Sequence, residues 1–208
     1  MNRLSDLVSA ALRPDRWPLF GALAAAGMLL AAFAFEVFGN YPPCPLCIEQ
    51  RWVHVWALVL GLAGFTLVHV VRGLGPRAAR DAARALEPVM AGSRLKRYWL
   101  ALRAPAGIGR IACVALAAVF AWSVVVAGHH AGVEYGWWTY DCQASDISGI
   151  SVDDLLAGLE RAQNVVLCED PAWMFLGVSM AGYNALASAL FAGLSLIAVF
   201  RSPSWRVL

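Results

Sequence analysis

Cys44 and Cys47 are separated by Pro45 and Leu46, and this spacing is the most chemically pointed feature of the 208-residue chain. Two intervening residues hold a pair of sulfurs within disulfide range, and a helix N-terminus lowers the pKa of one thiol, so the pattern suits dithiol–disulfide exchange. The flanking residues meet both conditions. Tyr41-Pro42-Pro43 reads as extended, and Pro45 fits a first helical turn, where its missing N–H costs nothing. Cys47 then falls in that turn, where the helix macrodipole favours a thiolate. Arg51 follows Cys47 by four residues, on the same helix face and one turn deeper. It is a cation suited to stabilising the Cys47 thiolate or the charge developing on a bound electron acceptor. The plainer reading is an arginine that snorkels at a membrane boundary.

The other three cysteines divide differently. Cys113 lies among Ala, Val and Leu and reads as a small core side chain. Cys142 and Cys168 stand 26 residues apart, so only one of the two pairs is close, whereas a structural zinc site usually offers two. No metal is expected. A haem attachment motif is absent, because Ile48 rather than His follows Cys47. Two purely structural disulfides that brace an outer surface form the competing reading.

The elements that must position these thiols are membrane spans. The chain is 60% hydrophobic and 14% charged, against about 25% charged in ordinary soluble domains. Four stretches, at about 18–38, 52–71, 111–128 and 172–200, are long and apolar enough to cross as helices, since a core ~30 Å thick needs ~20 residues. Backbone polar groups in lipid must be satisfied within the segment, which leaves helices as the spanning form. The expected fold class is therefore an all-α membrane protein, a four-transmembrane-helix bundle forming one membrane domain over 1–208. A signal-peptide reading of the first span, prompted by Ala32-Phe33-Ala34, fails on the length of its apolar run.

Segments 1–17, 72–110 and 201–208 hold 14 of the 16 Lys and Arg residues, while 39–51 and 129–171 hold only Arg51 and Arg161 beside nine acidic residues. Basic residues are retained in the cytoplasm, so both termini are expected inside and the two acidic loops outside. Tyr41, Trp52, Trp137, Trp138, Tyr140 and Trp173 then mark the outer interface, and Trp17, Tyr98, Trp99 and Trp205 the inner. The long cytoplasmic connection 72–110 contains an Arg/Ala-rich run expected as a basic surface helix against anionic lipid. In the second outer loop, Ser151 precedes Asp154 in a capping arrangement. Val152, Leu155, Leu156 and Leu159 share one face, so an amphipathic surface helix is expected through about Gln163.

Four features together resemble the DsbB family of bacterial inner-membrane thiol:quinone oxidoreductases. They are the run from Pro43 to Arg51, Gly132-Val133-Glu134 with Trp137-Trp138, Cys142, and Cys168 followed by the run from Trp173 to Met180. The resemblance covers nearly the whole chain. It implies a relay that reoxidises a DsbA-like periplasmic thioredoxin-fold oxidase: the reduced partner attacks Cys142, Cys168 is freed and engages Cys44, and Cys47 is released facing a membrane quinone. Ubiquinone is the expected acceptor, with menaquinone as the alternative, and no nucleic acid partner is expected. The resemblance also places Arg51 near the quinone oxygen, with His129 and His130 as further lining candidates. The energetics require such an acceptor, because a DsbA-type couple near −120 mV cannot pass electrons to an ordinary dithiol near −200 mV. A different dedicated dithiol partner would use the same chemistry. His54 and His69 read as packing or solvating groups of the second span, and Asn184 as an interhelical hydrogen-bonding group. The long basic connection 72–110 departs from the family pattern.

Overall fold

A computed structural model describes residues 2–73, 105–139 and 168–200. Cys142, the expected surface helix at 151–163, the connection 74–104 and the tail 201–208 lie outside the described residues. A short helix α1 (Asn2–Ala11) precedes four long ones: α2 (Trp17–Val37), α3 (Pro45–Gly73), α4 (Pro105–Glu134) and α5 (Met180–Phe200). All four are long and apolar enough to cross a membrane. They form a packed bundle in which consecutive helices are the closest neighbours. Large apolar side chains such as Leu23, Leu30, Trp56, Trp122, Leu186 and Leu190 face outward, as expected where the surrounding solvent is hydrocarbon.

Small residues set how closely the helices approach. A Cβ on Gly61 would sit 2.6 Å from the Pro18 carbonyl oxygen of α2, and one on Gly64 would sit 2.5 Å from Ala112 Cβ of α4. Close backbone approach is a main source of helix association in lipid, where apolar burial adds little. The core between these helices contains Leu116, Phe120, Ala57 and Cys113. Cys113 is wholly buried there, as a packing residue should be.

Three element boundaries differ from the hydropathy reading. The second span begins at Pro45 rather than 52, because helix starts with the proline and continues through the polar residues Glu49, Gln50 and Arg51. The third span extends outward to Glu134. The last begins at Met180 rather than 172, because Met174–Phe175 and Val178–Ser179 pair as a two-stranded hairpin. Both turn residues of that hairpin, Leu176 and Gly177, have positive φ, as a type I′ turn requires. Tyr135 fixes the hairpin to the end of α4: its hydroxyl donates to Gly177 O and accepts from Ser179 N–H.

At the opposite end of the bundle, Asp15 pairs with Arg72 at 2.9 Å and Arg13 at 3.4 Å, joining the start of α2 to the end of α3. Burial pushes the Asp15 carboxyl up, but the hydrogen bond and charge of Arg72, together with Arg13, outweigh it and hold Asp15 below the usual carboxylate range. Trp17, expected at the inner interface, is buried at that end of the bundle, and its indole N–H donates to Ser195 Oγ of α5 at 2.9 Å.

Candidate active site

Helix α3 starts on Cys44. The Cys44 carbonyl accepts the Ile48 N–H at 3.2 Å, and its Sγ accepts the Cys47 N–H at 3.3 Å. The sulfur thus takes the place that a serine or aspartate oxygen holds at most helix starts. Cys44 Sγ also donates to Cys47 Sγ at 3.1 Å, so the two thiols share a hydrogen bond. That donated bond pushes the Cys44 thiol up, burial adds to it, and the opposing backbone amide is outweighed. Cys44 is thereby biased toward its protonated form.

Behind Cys44 the fold assembles a cluster that no sequence spacing displays. Cys44, Cys168 and His130 bring their Sγ atoms and a ring nitrogen within 4.8 Å of one another. All three residues are buried, beside Leu46 and Val133. His130 Nε2 lies 3.5 Å from Cys44 Sγ and 3.7 Å from a Glu134 carboxylate oxygen. Its other nitrogen, Nδ1, is 2.6 Å from Gln50 Nε2. An amide nitrogen only donates, so Nδ1 accepts and the hydrogen sits on Nε2, directed at Cys44 and Glu134. The Gln50 amide is held in turn by Asn184 Nδ2, which donates to its oxygen. Ser188 donates to Asn184 Oδ1 and contacts Ser123 on α4. Asn184 thus does make an interhelical hydrogen bond, to Gln50, and the array it belongs to ends at the exchange sulfur.

Cys47 faces the other way. It lines a cavity of about 470 Å³ at the outer end of the bundle, with walls from all four spans and a cover formed by Trp173 and Phe175 of the hairpin region. Helix geometry places Cys47, Gln50, Arg51 and His54 along one face of α3, and all four line this cavity. Leu29, Ala32, Phe35, Pro43 and Ala187 make much of the remaining wall apolar. Arg51 pairs with Glu36 of α2, and its guanidinium lies 4.8 Å from the Phe33 ring centroid.

Among the described residues, three buried polar atoms on the cavity wall meet no partner within hydrogen-bond distance: Arg51 Nε, His54 Nε2 and Glu134 Oε2. His54 Nδ1 lies 2.7 Å from the Gln50 carbonyl, which can only accept, so His54 Nε2 is a bare acceptor. Unsatisfied buried groups are costly and rare in folded proteins. One donor and two acceptors around an apolar chamber fit a flat ligand with carbonyl oxygens that become hydroxyls on reduction. A quinone has those groups.

Of the residues singled out from sequence, Cys44, Cys168 and His130 come together, and Cys47, Arg51 and His130 line the cavity. His129 does not line it. Its ring stacks on Trp138 with centroids 5.7 Å apart, and its carbonyl accepts the Trp138 indole N–H. Sequence reasoning gave no site role to Glu36, Gln50 or Glu134, and it read His54 as a packing or solvating group of the second span, whereas His54 lines the cavity. His54 was detectable seven residues after Cys47, two turns along the same face; Glu36 carried no signal beyond being the one charge in its span.

Comparison with known proteins adds the lineage. The family described as "Disulfide bond formation protein DsbB" matches residues 14–198. The chain is also 29% identical over 203 residues to Disulfide bond formation protein B of Marinobacter nauticus, covering 92% of this chain and 96% of that one. No solved structure matches.

Proposed function

Because the chain belongs to the DsbB family of disulfide bond formation proteins and has four candidate membrane spans, we propose that it is a protein-dithiol:quinone oxidoreductase of the bacterial inner membrane. It accepts electron pairs from a reduced DsbA-like periplasmic oxidase and delivers them to membrane ubiquinone, sustaining disulfide formation in secreted proteins. Its termini are cytoplasmic and its redox loops periplasmic. The observation that carries this reading is the division of labour within one helix start: Cys44 is buried against Cys168, while Cys47 opens on the cavity.

The steps balance as thiol–disulfide exchanges. The partner's thiolate attacks the Cys142–Cys168 disulfide at Cys142, forming a mixed disulfide and releasing Cys168 as a thiolate. Cys168 then attacks Cys44: a bond forms between them, the Cys44–Cys47 bond breaks, and Cys47 leaves with the electron pair. Quinone, when bound, supplies a two-electron, two-proton acceptor for that pair. Arg51 Nε–H, His54 Nε2 and Glu134 Oε2 would hold such a group, the first as a donor to an oxygen and the other two as acceptors. His130 holds an Nε2–H toward Cys44, which supports sulfur anions during the exchange. The apolar wall keeps water from the Cys47 thiolate, and low polarity strengthens each of these contacts.

The purified protein, supplied with reduced DsbA and ubiquinone, is expected to reduce the quinone at the expense of the dithiol, followed by quinone absorbance. Cys47→Ser should abolish this. Wild-type protein without quinone reduction, or reduction that persists in Cys47→Ser, would defeat the relay.

A further inference from the structure

The spacing of the cysteines argues against a metal, since Cys142 and Cys168 are 26 residues apart and only Cys44 and Cys47 are close. The fold changes the donor count. Cys44, Cys168 and His130 offer two sulfurs and one imidazole nitrogen within 4.8 Å of one another, on residues 4%, 1% and 3% exposed. We propose that, when its thiols are reduced, the protein binds one zinc ion through Cys44, Cys168 and His130, a parked state that withholds these sulfurs from exchange.

The spacing of the donor atoms matches zinc. With Zn–S near 2.3 Å and Zn–N near 2.0–2.1 Å, a tetrahedral sulfur–nitrogen edge is about 3.5 Å. Cys44 Sγ and His130 Nε2 are 3.5 Å apart. A fourth tetrahedral position remains for a water, which keeps the ligand set at two thiolates and one imidazole.

The charges match as well. Two thiolates, one divalent cation and a neutral imidazole sum to zero, which is the balance a buried site tolerates best. A monovalent thiophilic ion would leave the same ligands with a net negative charge beside the Glu134 carboxylate, 3.7 Å from His130. The donor set therefore favours zinc over monovalent copper.

The residues behind the histidine support ligation as well. Ligation through Nε2 requires the hydrogen to move to Nδ1 and to find an acceptor there. Gln50, 2.6 Å away, supplies one by turning its side-chain amide over. Asn184 can turn with it, because Ser188 accepts as readily as it donates. The same array thus orients His130 in either tautomer, as the outer hydrogen-bond partners of metal-bound histidines commonly do.

Metal binding and exchange exclude each other. A disulfide from Cys44 to Cys47 or to Cys168 consumes a ligand, so only the reduced protein binds. Two thiol protons leave for each ion bound, while the histidine proton merely changes nitrogen. None of this requires the quinone reading, because only the three side chains and their reduced state enter.

The test is a titration of the metal-free, full-length protein in detergent with Zn²⁺, or with Co²⁺ as a coloured substitute, after reduction with a phosphine and again after oxidation. The reduced protein should take up one equivalent. Co²⁺ should give thiolate charge-transfer absorption in the near ultraviolet, and calorimetry in two buffers should find about two protons released. The oxidised protein should bind none. Cys168→Ser and His130→Ala should each weaken binding at least tenfold, and Gln50→Ala by about 10–100-fold, with Cys113→Ser unchanged. Absence of stoichiometric uptake by the reduced protein, equal uptake by the oxidised protein, or undiminished affinity in a folded Cys168→Ser variant would overturn the proposal. The reduced-against-oxidised comparison needs no variant, so it decides the question even where a substitution impairs folding.

Discussion

The two ends of the bundle treat their polar groups in opposite ways. At the inner end Asp15 is enclosed by Arg13 and Arg72, and the Trp17 indole meets Ser195, so side chains at one helix terminus answer those at another. At the outer end, among the described residues, the same four helices leave Arg51 Nε, His54 Nε2 and Glu134 Oε2 without hydrogen-bond partners around a cavity. Membrane proteins do not leave such atoms idle in a low-dielectric setting without a reason. The closed end holds the bundle together, and the open end is shaped for something that arrives.

That contrast can be broken first at Arg51. Its hydrogen bonds to a charged oxygen are worth about 1.5–3 kcal/mol, so Arg51→Ala should raise the quinone KM roughly 10–100-fold, and a steady-state quinone titration checks this. Melting in detergent should shift far less than the KM. A melt that collapses while KM holds would make Arg51 a structural anchor, like Asp15. A smaller effect is expected at Gly132, where a Cβ would lie 2.1 Å from the Trp138 indole. Gly132→Ala should displace that ring, cost about 1–3 kcal/mol and red-shift the intrinsic tryptophan fluorescence. Quinone affinity should hold, because neither residue lines the cavity.

The smallest effect is expected at the inner end. Asp15→Asn should lower the melting temperature by a few degrees and leave the quinone KM untouched. The Asp15 pKa is depressed by folding, so its contribution is fully present above the unfolded value near 4 and is lost as pH falls through the lower folded value. Wild type should therefore lose its advantage over Asp15→Asn below about pH 4, measured as the difference between their melts. An unchanged difference across that range would remove the ion pairs from the stability of the bundle.

The spans were legible in the sequence because hydrocarbon imposes one long, uninterrupted apolar signal per crossing. The start of α3 was legible as well, since Pro45 and the cysteine spacing are local features. Hydropathy could not reveal that Met174 to Ser179 form a hairpin: both strands are short, and the apolar Trp173, Phe175 and Leu176 read as more of the span that follows. Nor could it pair Glu36 with Arg51 or bring Asn184 to Gln50, because these contacts join residues on different helices. Cys168 reached Cys44 in the sequence reading only through family likeness. In the fold they meet because both are buried with Val133 at the end of α4.

One atom, Cys44 Sγ, both reacts and begins a helix. Any replacement at this position is judged twice, as a nucleophile and as a cap. Serine fails the first role but offers the Cys47 amide an oxygen, whereas alanine fails both and adds a capping loss of about 1 kcal/mol. Comparing the two variants separates an inactive protein from a frayed one, a distinction that a single cysteine deletion would hide.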